Sequence, residues 1–79
     1  LPKSMMIFGG GVIACEIGQM YARMGTSITI FCRSRLLPDE EPEISAALKA
    51  ALLAEGIEIQ DGIKYISVYQ DDGIKLDFD

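Results

Sequence analysis

The chain has 79 residues, 12 acidic and 7 basic, for a net charge of −5 with no histidine. That length holds one small domain or a piece of a larger one. The charge excludes a broad nucleic-acid or anionic-membrane surface, and the absence of histidine excludes catalysis by that side chain. Hydrophobic residues make up 49% of the chain, yet no run is long enough to span a bilayer and no signal peptide is visible, so neither a membrane nor a nucleic acid is expected as a partner.

Residues 3–8 read as the first strand, because Met5-Met6-Ile7-Phe8 is a short apolar run. Three glycines follow at once, and a helical pattern then opens. Gly9, Gly11 and Ala14 have the G-x-G-x-x-G/A spacing of a dinucleotide-binding turn. Gly9 allows a sharp turn off the strand. Gly11, lacking Cβ, lets a pyrophosphate approach the backbone, and Ala14 keeps the first helical turn close to the strand. Gly10 lends a backbone N–H. The helix N-terminus offers unpaired N–H groups and a positive dipole end to phosphates. The motif alone is weak evidence, but here a strand precedes it and a helix follows.

The first helix is expected from Gly11 or Val12 to Met24, with Ile13, Ile17, Met20 and Met24 as its core-facing stripe and Gly25 closing it. Residues 26–32 alternate and are rich in β-branched side chains, as a second strand requires. Strand, helix and strand together take about thirty residues, the size of a right-handed βαβ crossover. Residues 33–38 form a loop. Asp39, Glu40, Glu41 and Glu43 surround Pro42 at the start of a second helix, where acids and proline suit the N-terminus. These adjacent carboxylates have no second cluster to converge on, so no metal site is expected. Ile44, Leu48, Ala51 and Leu52 make the second helix's expected buried stripe, and Gly56 ends it after Glu55.

Residues 57–60 are a third strand. Residues 63–69 and 74–78 alternate around Asp71-Asp72-Gly73, which reads as an antiparallel hairpin. The fold class is therefore α/β: a Rossmann-like βαβαβ unit with a three-stranded parallel sheet and a C-terminal antiparallel β-hairpin. In that arrangement the outer edge of strand one is left unpaired and apolar, which points to self-association through that edge or through exchange of the hairpin. The start at Leu1-Pro2-Lys3, without Met, suggests excision from a longer protein. Cys15 and Cys32 form no C-x-x-C pair and read as small buried hydrophobes in a reducing cytoplasm.

The end of strand two bears on cofactor choice. An NAD-specific site places Asp or Glu about 20 residues beyond the first glycines, on the ribose hydroxyls. Cys32 stands there, followed by Arg33-Ser34-Arg35. Two guanidiniums and a hydroxyl suit a 2′-phosphate, where an acid would repel it, so NADPH is favoured over NADH. The competing account is two solvated loop arginines.

The chain also resembles a known family. Leu1-Pro2-Lys3-Ser4 before the strand, Gly9-Gly10-Gly11-Val12-Ile13-Ala14-Cys15-Glu16 at the turn, Ala22-Arg23-Met24-Gly25 and Glu55-Gly56-Ile57-Glu58-Ile59 are similar to the nucleotide-binding domain of pyridine nucleotide–disulfide oxidoreductases. These FAD enzymes include dihydrolipoamide dehydrogenase, glutathione reductase and mercuric reductase. The resemblance covers the whole chain and implies that it binds and orients NAD(P)H for hydride transfer to FAD. It implies a cofactor site at Gly9, Gly10, Gly11, Val12, Ile13, Ala14, Glu16, Arg33, Ser34 and Arg35. Glu16 would lie near the nicotinamide and flavin. Val12 stands where many relatives carry an aromatic that covers the flavin, and is too small for that gate. The FAD-binding segment, the redox C-x4-C motif and the dimerisation domain would belong to the parent enzyme, so these residues alone are expected to be inactive. Another Rossmann oxidoreductase, or a non-catalytic nucleotide-binding module, is the alternative.

Overall fold

A computed structural model describes residues 1–62 and 74–77. The elements are β1 (Ser4–Phe8), α1 (Val12–Arg23), β2 (Ser27–Phe31), α2 (Pro42–Ala54), β3 (Glu58–Gln60) and β4 (Ile74–Asp77). Among the described residues the sheet has the order β3-β2-β1-β4, with every neighbouring pair parallel. The βαβαβ order expected from the sequence is present.

The register explains the core. Met5 lies beside Ile28, and Ile7 lies between Ile30 and Leu76. Ile30 in turn lies beside Ile59. Side chains of one register row point to one face of a sheet. Met5, Ile7, Ile28 and Ile30, with Ala14, Cys15, Cys32, Leu36, Leu52 and Ile57, form the buried cluster, and Ile59 and Leu76 pack against it. Both helices therefore cover the same face. Each helix ends in the same double-bonded cap. Gly25 and Gly56, at φ +100° and +86°, donate to Ala22 O and Leu53 O, and the next residues, Thr26 and Ile57, donate to Tyr21 O and Leu52 O. A side chain at either glycine would strain that backbone.

Three expectations are corrected. First, the outer edge of β1 is not open: residues 74–77 pair with it in parallel, from Met5↔Ile74 to Phe8↔Asp77. The apolar run of β1 is satisfied on both sides, which removes the edge mechanism of self-association. The other arm of the expected hairpin, residues 63–69, and its turn lie outside the described residues. Second, the seam of α1 is not the methionine stripe. Ile13, Met20 and Met24 are 62%, 50% and 47% exposed, whereas Ala14, Cys15 and Gly18 are buried. The reason is close approach. A Cβ on Gly18 would sit 3.2 Å from Ile30 Cδ1 and 3.3 Å from Ile7 Cδ1. The helix rests on the sheet through its smallest residues, and the larger apolar ones are displaced to its flanks, Ile17 remaining partly packed. Third, Ile44 and Ala51 of α2 are exposed, while Ser45 and Leu52 are buried. The Ser45 hydroxyl donates to Leu36 O at 2.6 Å, so the inward position near the start of α2 serves the preceding loop.

Candidate dinucleotide site

At the C-terminal ends of β1 and β2 the chain twice leaves the sheet for a helix. This is the edge where open α/β sheets bind ligands. The first exit is residues 9–11. Gly9 has φ +130°, a conformation closed to most side chains, and its N–H donates to Phe31 O at 2.8 Å. Phe8 and Phe31, register partners on the face away from the helices, stack with centroids 5.1 Å apart. They brace the strand ends from behind the turn.

Gly10 and Gly11 differ in surroundings. A Cβ on Gly10 would meet Arg35 O at 2.7 Å, Cys32 Sγ at 3.2 Å and Leu36 Cα at 3.2 Å. Gly10 is therefore the contact between the turn and the loop after β2. A Cβ on Gly11 would meet nothing within 4 Å, so the space in front of it is open. Gly11 is also the N-cap of α1, and no side chain bonds the helix's first N–H groups. The first turn of α1 contains no acid. An uncapped helix N-terminus facing open space fits a phosphate or other anion.

The second exit, residues 32–41, forms the facing wall. Gly11, Val12, Leu37, Pro38, Asp39 and Glu40 line an open cleft of about 170 Å³. Leu37 takes φ +47°, the left-handed region that a branched side chain seldom adopts. Its N–H donates to Gly10 O at 2.7 Å, and its carbonyl accepts from Glu40 N at 3.0 Å. The Arg35 guanidinium lies along this loop, with Nη2 donating to Pro38 O at 3.1 Å and Glu40 O at 2.8 Å. Its Nη1 is buried without a hydrogen-bond partner. Arg33 and Ser34 are exposed, and the Ser34 carbonyl accepts from Gly62 N at 3.2 Å. Asp39 and Glu40 bring two carboxylates to the cleft's lining.

The remaining sequence-derived candidates are also placed. Val12 and Ile13 are exposed on the first turn of α1, and Ala14 is buried beneath it. Glu16 is exposed one turn further on. Cys15 packs under the turn with Sγ 4.0 Å from Gly10 O, and burial raises its thiol pKa, which favours an inert neutral side chain. Cys32 is buried as well. The sequence reading missed Gly18, Ser45, Leu37 and the Phe8–Phe31 stack. Only Gly18 carried a signal, as a glycine inside a helical pattern.

Comparison with known proteins places the chain in a family. A family described as pyridine nucleotide-disulphide oxidoreductase matches residues 1–78. Mercuric reductase of Streptomyces lividans is 39% identical over 71 residues, covering 90% of this chain and 15% of that protein. Dihydrolipoyl dehydrogenase of Chlorobaculum tepidum is 42% identical over 69 residues, covering 86% of this chain and 15% of its own length. The chain thus spans a small part of these relatives. Among solved structures, the HOCl-induced flavoprotein disulfide reductase RclA of Escherichia coli superimposes with a TM-score of 0.74 at 32% identity, over 81% of this chain and 15% of that one.

Proposed function

The chain belongs to the pyridine nucleotide-disulphide oxidoreductase family, and from that premise we propose that it is the nicotinamide-dinucleotide-binding part of a flavoprotein oxidoreductase, with NADPH preferred over NADH. The relatives named above are oxidoreductases, which supports an enzyme as the parent. The observation that carries the reading is the open space at Gly11 in front of an uncapped helix N-terminus. The pyrophosphate would accept hydrogen bonds from the first N–H groups of α1 and from the Gly10–Gly11 backbone. Arg33 and Ser34 would receive the 2′-phosphate, since no acid stands at the end of β2 to accept ribose hydroxyls or repel that group. Ile13, exposed beside the turn, and Glu16, on the next turn, would lie along the nicotinamide half. When bound, the dinucleotide would supply a hydride to a flavin. The residues here would hold and orient the donor.

Titration of the full-length protein with NADPH and NADH tests the proposal. NADPH should bind more tightly, and Arg33→Ala should remove about tenfold or more of that advantage while leaving NADH binding intact. Equal or tighter binding of NADH by the unaltered protein would overturn the NADPH preference. Failure of both dinucleotides to bind would overturn the site.

A further inference from the structure

Arg33 and Arg35 are two residues apart, and from sequence they are equivalent candidates for a phosphate. The structure separates them. Arg35 is half-buried: its Nη2 bridges the carbonyls of Pro38 and Glu40 at 3.1 and 2.8 Å, and its Nη1 is buried. A nitrogen without accessible surface cannot touch a phosphate oxygen while the loop stands as it does. Between those two carbonyl partners and Arg35 lies Leu37, in the left-handed conformation at φ +47°. Such a residue persists only where its surroundings over-determine it. Here the surroundings are the Arg35 bridge on one side and the 2.7 Å bond from Leu37 N to Gly10 O on the other. The Arg35 carbonyl itself lies against Gly10, 2.7 Å from where a Cβ would stand.

We propose that Arg35 is a positioning residue, which fastens residues 35–40 as the preformed wall of the cleft and does not itself bind the dinucleotide. The proposal rests on the dinucleotide reading above and divides the two arginines: Arg33 sets which dinucleotide binds, and Arg35 sets how often the wall is ready for either. The two roles leave different thermodynamic marks. A residue that only sets the fraction of binding-competent molecules scales every ligand's dissociation constant by the same factor. A residue that touches the 2′-phosphate changes the NADPH/NADH ratio. The guanidinium's planar fork, reaching two carbonyls at once, is what a lysine's point charge does not reproduce.

The test compares Arg33→Ala, Arg35→Ala and Arg35→Lys in the full-length protein. Dissociation constants are measured for NADPH, NADH and nicotinamide mononucleotide, and amide hydrogen exchange is measured without ligand. Arg35→Ala should weaken NADPH and NADH alike, by about fivefold to tenfold, and leave their ratio unchanged. It should weaken nicotinamide mononucleotide by the same factor, because every ligand of the cleft meets the same wall. Arg35→Lys, which retains the charge, should stay impaired, because the two-carbonyl bridge is lost. Without ligand, both Arg35 variants should speed exchange at the Leu37 and Glu40 amides, and Arg33→Ala should not. A selective loss of NADPH in Arg35→Ala, full recovery in Arg35→Lys, or unaltered exchange at Leu37 and Glu40 would each overturn the proposal. If neither dinucleotide binds the unaltered protein, the dinucleotide reading fails, and the exchange measurement still decides the wall-fastening role.

Discussion

The two strand-to-helix exits solve one problem differently. Residues 9–11 cross from β1 to α1 in three residues, and residues 32–41 take ten to pass from β2 to α2. The short exit is set by glycine geometry and by two backbone bonds, Gly9 N to Phe31 O and Leu37 N to Gly10 O, with the Cys15 thiol against Gly10 O. The long exit has many more conformations to lose. It is held by Arg35 on its own carbonyls, by Ser45 from α2 and by Leu37 N–H on Gly10. The contrast assigns separate duties. On the proposed reading, the short exit would offer backbone donors to an anion, and the long exit would be a wall whose position has to be maintained.

Adjacent glycines give the sharpest way to break that pairing. Gly10→Ala drives a Cβ to 2.7 Å from Arg35 O, and a backbone carbonyl cannot swing aside as a side-chain tip can. Turn and wall must part, so denaturant unfolding should show a loss of about 3 kcal/mol, with dinucleotide binding lost as well. Gly11→Ala meets no atom within 4 Å, and Gly11 has the ordinary φ of −78°. Its stability cost should be at most about 1 kcal/mol, from a poorer N-cap. Yet its methyl group occupies the space assigned to the pyrophosphate, so dinucleotide affinity should fall sharply. If Gly10→Ala were as stable as the unaltered protein, contact between turn and wall would not be what requires glycine there.

Ser45→Ala removes the fastener between α2 and the wall. The 2.6 Å bond to Leu36 O is buried, and its loss should cost about 1 kcal/mol in thermal or denaturant unfolding. NADPH and NADH affinity should fall together and by less than in Arg35→Ala, because the bridge across Pro38 and Glu40 survives. A larger loss than in Arg35→Ala would move the main support of the wall from the guanidinium to α2.

The short exit was legible in the sequence and the long one was not. Gly9, Gly11 and Ala14 announce their geometry because each depends on a missing or minimal side chain, a property of the residue itself. Gly25 and Gly56 announced the helix ends for the same reason. Leu37 in the left-handed region and Ser45 facing inward depend on partners in other elements, and no local pattern reports them. Apolar periodicity misled at α1, where Ile13, Met20 and Met24 look like a core stripe. Hydrophobicity measures what burial would gain, whereas the seam was decided by how closely Gly18 lets the helix approach Ile7 and Ile30. The open edge expected at β1 fails because alternation in residues 74–78 does not name a strand's partner, and residues 74–77 pair with β1.

The smallest expected effect lies at the opposite ends of the helices from the cleft. Arg23 near the end of α1 donates to Glu55 at 2.8 and 3.2 Å, and Gln19 donates to the same carboxylate at 2.6 Å. The hydrogen bonds from Arg23 and then Gln19 hold the Glu55 pKa below its ordinary value. A carboxylate whose folded pKa is depressed stabilises the fold above its unfolded value, near pH 4.3, and loses that contribution as pH falls through the folded one. The cluster is exposed, so its contribution is minor and weakens with salt. Glu55→Gln should therefore lower the unfolding midpoint slightly at neutral pH, and the difference from the unaltered protein should shrink on acidification below about pH 4. Leu37 and Glu40 amide exchange should not respond to Glu55→Gln, since neither exit touches this cluster. A midpoint difference that persists unchanged into acid would assign the effect to shape instead of charge, and faster exchange at Leu37 would show that the two ends of the helix layer are coupled after all.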